Sequence, residues 1–222
     1  TSAAYTTTIS SGATSGTAIS IKGIVETGPE SNTNANGVVA GWFNNGTLNI
    51  SANGGGDILF TGVASTATTD SIEVNRANIT ATSGNITFNG GTQRVAFGDN
   101  GVNTLGGASA AADHTGNINI CGGTVAFVSA MTTIRNTGST VIEPCAAATS
   151  FTAAQTWGAS AATLNTGSFR FGKTGNNVAM TISAAVTATN GNIAVHGSDV
   201  TVNGNLTTNL QDASILLRAS GF

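Results

Sequence analysis

Cys121 and Cys145, two histidines and ten carboxylates are the side chains of this 222-residue sequence whose types could do chemistry. Two cysteines cannot by themselves build a multi-cysteine zinc site. They are either two small apolar residues in a core or the halves of a disulfide. The acids are Glu26, Glu30, Asp57, Asp70, Glu73, Asp99, Asp113, Glu143, Asp199 and Asp212. Polysaccharide cleavage needs two carboxylates held at a set separation. Asp99 and Asp113, with His114 beside them, flank an irregular stretch and could approach each other across it; the plainer reading is a solvated loop. Asp199 and Asp212 form only a loose pair. His114 and His196 show no metal-ligand spacing. The segment GGGDILF (54–60) matches half of a calcium-binding nonapeptide repeat, but such sites need many consecutive copies and one is present. The sequence therefore predicts no catalytic residue, no metal ligand and no cofactor.

The elements that must position these residues repeat. The phrase VTATNGNIAVHG (186–197) restates ITATSGNITFNG (79–90). In each, apolar residues alternate with small polar ones: Ile86 and Phe88, Ile193 and Val195. That is the period of a half-buried β-strand. A Gly-Asn pair precedes each strand and a Gly follows it, where positive φ would suit a tight corner. His196 takes the place of Asn89 in the earlier phrase, an outward position. The segment around Gly116, Ile118 and Ile120 states the motif again. Near the C-terminus, Val202 and Leu206 align with Ile182 and Val186 at an offset of 20, and Ile215–Leu217 align with Ile193–Val195 at an offset of 22.

A unit this short cannot bury its own apolar side chains, so its copies must stack. The expected fold is all-β: a right-handed parallel β-helix of about ten coils of roughly 20–22 residues, filling residues 1–222 as one solenoid domain. Irregular loop insertions are expected near 28–41, 100–114 and 146–157, the last as a loop or one short helix. Ile86, Phe88, Ile118, Ile120, Ile193, Val195, Val202 and Leu206 should form the core, and Gly84, Gly116 and Gly191 the corners. Cys121 and Cys145 lie about one repeat apart, which would place them on neighbouring coils within disulfide reach and point to an oxidising compartment.

Composition excludes some functions. Charged residues are 8% of the chain and the net charge is −3. No basic face exists to meet the phosphates of nucleic acid. No apolar run approaches the length of a membrane span. The chain starts at Thr1 without an initiating Met, as a processed chain or a segment of a longer one would. Ile215, Leu216 and Leu217 form an apolar last coil without a polar cap, so either the polypeptide continues or another subunit stacks there.

The phrases TATNGNIAVHG, VTVNGNLTT and SFRFGKTGNNVAMTISAAV resemble the β-helical repeats of filamentous-haemagglutinin-like proteins, which include two-partner-secretion exoproteins of bacteria. The resemblance is best over 167–222 and 79–90. It implies a right-handed β-helix, outside the cell or on a bacterial surface, that serves adhesion or a fibrous scaffold and carries no catalytic residue. The expected partners are further copies of the chain or its own continuation, with a cell-surface glycan or receptor as a target. The alternative is a β-helix that binds or cleaves polysaccharide, since pectinase-like β-helices resemble this architecture and gather carboxylates on one face.

Overall fold

A computed structural model describes residues 6–24, 37–41, 46–63, 70–98, 102–127, 132–145, 148–158 and 162–220. Asp99, most of the 28–41 insertion and residues 146–147 fall outside this set. Among the described residues the chain is a stack of β-strands with no α-helix.

Three faces form a prism. The first holds β1 (Thr6–Ser11), β4 (Thr47–Ala52), β7 (Ala77–Ala81), β10 (Asn103–Gly106), β13 (Thr132–Arg135), β16 (Thr163–Thr166), β19 (Val186–Ala188) and β22 (Leu206–Thr208). The second holds β2 (Thr17–Ile24), β5 (Asp57–Val63), β8 (Ile86–Asn89), β11 (Ile118–Cys121), β14 (Ser139–Glu143), β17 (Ser168–Phe171), β20 (Ile193–Gly197) and β23 (Ile215–Ala219). The third is built in two pieces: β3 (Val38–Gly41), β6 (Asp70–Asn75), β9 (Arg94–Phe97) and β12 (Thr124–Phe127), then β15 (Gln155–Trp157), β18 (Met180–Ile182) and β21 (Val200–Val202). Every strand pairs in parallel with the strand one coil away. This is a parallel β-helix.

The first two sheets have eight strands each, so the described chain makes eight coils where the repeat length predicts about ten. The last coils have the expected 20–22 residues, with Leu164 over Val186 and Val186 over Leu206, as does the step from Ile118 to Thr140 in the middle of the stack. Other coils are longer: Thr6 pairs with Thr47, and Asn78 with Thr104. The extra length sits at the corners. Each expected insertion also contains a strand of the wall: β3 lies in 28–41, β10 in 100–114 and β15 in 146–157. Short, weakly alternating segments such as Gln155-Thr156-Trp157 carry little periodic signal, and their strand form depends on the neighbouring rung.

Register aligns the core into columns. Ile50, Ile79, Leu105, Ile134, Leu164 and Val186 stack along the first sheet. Ile58, Ile86 and Ile118 stack along the second, as do Phe60, Phe88, Ile120 and Ile142. Six of the expected core residues, Ile86, Phe88, Ile118, Ile120, Ile193 and Val195, are buried. The other two are not: Val202 is 37% exposed and Leu206 only partly buried. They have the right phase, but they sit on the last coil, where nothing described covers them. Aromatic rings form a continuous path through the prism, from Phe60 on Phe88 (4.8 Å) to Phe97 (5.2 Å), Phe127 (5.3 Å), Trp157 (4.6 Å) and Phe169 (6.2 Å).

The Gly-Asn corner has a different cause from the expected one. Gly84, Gly116 and Gly191 do not have positive φ. At Gly116 a Cβ would lie 2.2 Å from the Gly84 carbonyl oxygen, and at Gly84 it would lie 2.1 Å from that of Gly56. Corners stacked this closely leave no volume for a side chain. The asparagine that follows ties the coils together. The Asn85 N–H donates to Asp57 Oδ1 (2.7 Å), the Asn117 N–H to Asn85 Oδ1 (3.1 Å), and the Ser139 N–H to Asn117 Oδ1 (2.9 Å). Each side chain thus satisfies a corner amide of the next coil that has left the sheet ladder.

Gly116→Ala should therefore destabilise the fold by about 2–3 kcal/mol, because the added methyl forces two corners apart. Gly12→Ala, where the corresponding space is open, should change stability by less than about 0.5 kcal/mol. Urea unfolding midpoints of the two variants check this.

Candidate functional site

The residues singled out for chemistry are mostly occupied in holding coils together. Cys121 and Cys145 form a disulfide, as the one-repeat separation allows. Cys121 ends β11 and pairs in register with Glu143, so Cys145 lies just past the next rung. The bond staples two adjacent coils where the chain leaves the second face. Asp57 begins the corner ladder. Asp70 is buried and forms an ion pair with Arg94 in register on the next coil. Glu73 is also buried and accepts a hydrogen bond from Asn75 Nδ2 (2.6 Å). Glu143 pairs with Arg170 at 2.6 Å. No two carboxylates are cross-strand register partners among the described strands.

Asp113 organises a loop. Its Oδ2 accepts hydrogen bonds from the N–H groups of Ala110 (2.8 Å) and Ser109 (2.9 Å), closing a single 3-10 turn at Ala111–Asp113. These two backbone donors, first Ala110 and then Ser109, hold its carboxyl below the usual carboxylate range. The Arg135 guanidinium donates to the Ala108 carbonyl (3.2 Å) and pins the loop from the neighbouring rung.

His114 anchors the end of this loop and is fully buried. Its Nδ1 lies 2.8 Å from the Ala81 carbonyl oxygen. A carbonyl only accepts, so Nδ1 carries the proton. Nε2 is then an acceptor, and it finds no partner among the described residues. Burial pushes the imidazole below its ordinary pKa of 6.5, with the Ala81 and Asn117 carbonyls partly opposing. His196, expected outside, is half-buried, and its Nδ1 is sealed from solvent without a partner. Asp199 and Asp212 are exposed and do not form a site.

The 106–117 loop, pinned in this way, forms one wall of a groove on the first face. Asn49, Asn78, Thr80, Thr104 and Ala108 line it, and its volume is about 280 Å³. Asn78 Nδ2 donates to Asn49 Oδ1 (2.9 Å), which orients both amides. A second groove, of about 260 Å³, lies beside the disulfide, between Gly91, Gly122, Gly123, Cys145, Ala148 and Thr152. Both are near the lower end of small-molecule sites, roughly 300–1,000 Å³. The sequence marks neither, because their linings are the Asn, Thr, Gly and Ala that recur throughout the chain. No group of three or more His, Cys, Asp or Glu able to hold a metal occurs among the described residues. No described helix is long and apolar enough to cross a membrane.

The largest apolar exposure is at the C-terminal coil. Ile215, Leu216 and Leu217 are 44%, 48% and 45% exposed, and Leu210 is 49% exposed. Register separates their roles. Ile215 continues the column of Ile193, and Leu217 that of Val195, whereas Leu216 follows Ala194 on the outer row. At the opposite end, Ile9 is 40% exposed and heads the column that Leu206 ends. Among the described residues, both eight-stranded sheets thus end in strands that keep the phase of the core and pair on one side.

Comparison with protein-family models, with curated proteins and with solved structures finds no match to this chain.

Two stability measurements follow. Reduction of the disulfide, or Cys145→Ser, should lower stability by about 3 kcal/mol if chain entropy sets the effect; thermal unfolding with and without reductant measures it. Acid should also destabilise the fold. The unfolded chain takes up protons at its histidines near 6.5, while folded His114 and His196 resist protonation. Stability is then retained above about pH 6.5 and falls as pH drops through and below that value. His114→Gln should flatten this slope in urea titrations run from pH 7.5 to 5 (values of roughly this span bracket the histidine range).

Proposed function

We propose that this chain is a non-enzymatic, extracellular β-solenoid, a structural or adhesive part of a bacterial cell-surface or matrix fibre. One observation carries the reading: both long sheets run in parallel register along the described chain, with one irregularity at Thr17/Ile19, and among the described residues the last rung leaves Ile215 and Leu217 exposed in core phase. A catalytic fold needs a cavity that converges on reacting groups. Here the order lies along the stack, and the charged side chains bind rung to rung. A further coil laid on β22 and β23 would bury Leu206, Ile215 and Leu217 in the columns they already end. That coil comes from the same polypeptide or from a second copy stacking end to end, a head-to-tail contact that propagates into a filament. The disulfide fits an oxidising compartment, and the resemblance to filamentous-haemagglutinin-like repeats supports the same setting.

The alternative, a polysaccharide-binding β-helix, draws on the walled groove at Asn49, Asn78 and Thr104, whose neutral amides and hydroxyls suit sugar hydroxyls.

Two experiments test the main reading. Antibodies raised against the folded chain should label intact producing cells; labelling only after permeabilisation would overturn the surface assignment. In sedimentation and electron microscopy, the isolated chain should elongate with concentration, and Leu217→Lys should hold it monomeric. Equal elongation of the Leu217→Lys variant would reject stacking through this rung. Loss of Leu216 to Lys should matter less, because that side chain points away from the column.

A further inference from the structure

The chain has few cations, yet three of its seven Lys and Arg residues and one of its two histidines gather at one corner. Arg170 lies on β17, Lys173 in the turn after it, His196 on β20 and Arg218 on β23. His196 and Arg218 are register partners on adjacent rungs. Arg170 forms an ion pair with Glu143 at 2.6 Å. Lys173 Nζ donates to the Pro144 carbonyl (3.3 Å). Arg218 is exposed and makes no hydrogen bond or ion pair among the described residues. Asp199, two residues beyond Gly197, is exposed.

Two of the four cationic-corner residues, His196 and Arg218, line a pocket of about 90 Å³ together with Thr174, Gly175, Asn176 and Ser220. The turn that forms its floor is fixed. Gly175 has a φ of 92°, and the Asn176 N–H donates to the Lys173 carbonyl (3.0 Å). Asn176 Nδ2 donates to the His196 carbonyl (2.7 Å), and Ser220 Oγ to the Asn176 carbonyl (3.4 Å). His196 Nδ1, by contrast, is sealed without a partner. The pocket has room for roughly three waters at about 30 Å³ of liquid volume each, the scale of a single carboxylate or sulfate group rather than a sugar ring.

We infer that this pocket is a binding site for one small oxyanion, a carboxylate or sulfate group, held by Arg218 and His196 against the hydroxyl of Thr174. The field has the right sign. Besides burial, the charges of Arg218 and Arg170 push the His196 pKa down, so an ion between them would meet positive potential. An arginine with unused donors is suited to the forked oxygens of such a group. The source of the oxyanion is either a free ion or an acidic polysaccharide lying along the second face. Arg218 belongs to β23, the last described rung, and follows His196 in register, beside the core column of Val195 and Leu217 rather than in it.

The test is an NMR titration of the His196 ring in the full chain. Sodium sulfate is compared with sodium chloride at equal ionic strength, and short oligogalacturonate with neutral dextran. Binding should raise the His196 pKa by about one unit, because an anion then faces the ring. Arg218→Gln should abolish the rise, while Lys22→Gln, on β2 at the far end, should leave it. A rise with sulfate alone assigns a free-ion site, and a rise with oligogalacturonate alone assigns a polymer-borne carboxylate; a rise with both assigns the group whatever carries it. Equal pKa values in sulfate and chloride together with no effect of oligogalacturonate would overturn the site. The wild-type titration decides this even if Arg218→Gln fails to fold.

Discussion

In the two long sheets each described rung sits directly over another at the interstrand distance, about 4.8 Å. The rest of the structure depends on that constraint. In a parallel stack each backbone N–H and C=O of a strand is satisfied by the rungs above and below, so a coil has no independent existence. Side chains at equivalent positions are also brought to one spacing. Inside, apolar lies mostly on apolar: aliphatic residues along the first face, and Phe60 on Phe88 at 4.8 Å, followed by Ile120, along the second. A ring separation equal to the rung separation means that the aromatic column adds packing without bending the ladder.

The constraint is harshest at the corners. Strand side chains alternate in and out, but a corner residue has the carbonyl of the coil below beneath it. At Gly84 and Gly116 the next carbonyl lies where Cβ would be. Corner amides have also left the ladder and need new acceptors. Asp57, Asn85 and Asn117 supply them from their side chains. The same device recurs at Asn192, whose Oδ1 accepts from the Ser214 N–H (2.8 Å). The Gly-Asn phrase is thus one solution to two problems, crowding and unpaired donors.

Where coils differ in length, side chains replace missing backbone. The third face breaks between β12 and β15, and Gln155 bridges it. Its Oε1 accepts the Val125 N–H (2.7 Å), and its Nε2 donates to the Ala153 and Ala154 carbonyls (2.7 and 3.0 Å). The disulfide ties the same region, leaving from Cys121 on β11. Asn136, Thr140 and Thr166 form a buried polar relay at another corner, with 2.9 Å links. Irregularity in this fold is confined to edges of the prism, and each departure carries its own hydrogen bonds. The 106–117 loop belongs to the same class: Asp113, Arg135 and His114, which resemble catalytic groups by type, hold it in place.

The sequence by itself determined the class of fold. Alternation around Ile86 and Phe88, its recurrence at Ile193 and Val195, and the repeated Gly-Asn corner require stacked β-strands, because period-two burial and a short repeat admit few other solutions. It also placed Cys121 and Cys145 within one coil of each other. Tertiary structure decided the rest. The number of coils depended on pairing register, since long corners hide rungs such as β10 and β15 from any periodic count. Burial of Val202 and Leu206 depended on a neighbour above them, a property that no residue carries locally. The candidate sites were not legible either. The grooves are lined by the commonest residues of the chain, and the cationic pocket joins His196 and Arg218 from two strands, with the turn at 174–176, that meet only when the coils are wound.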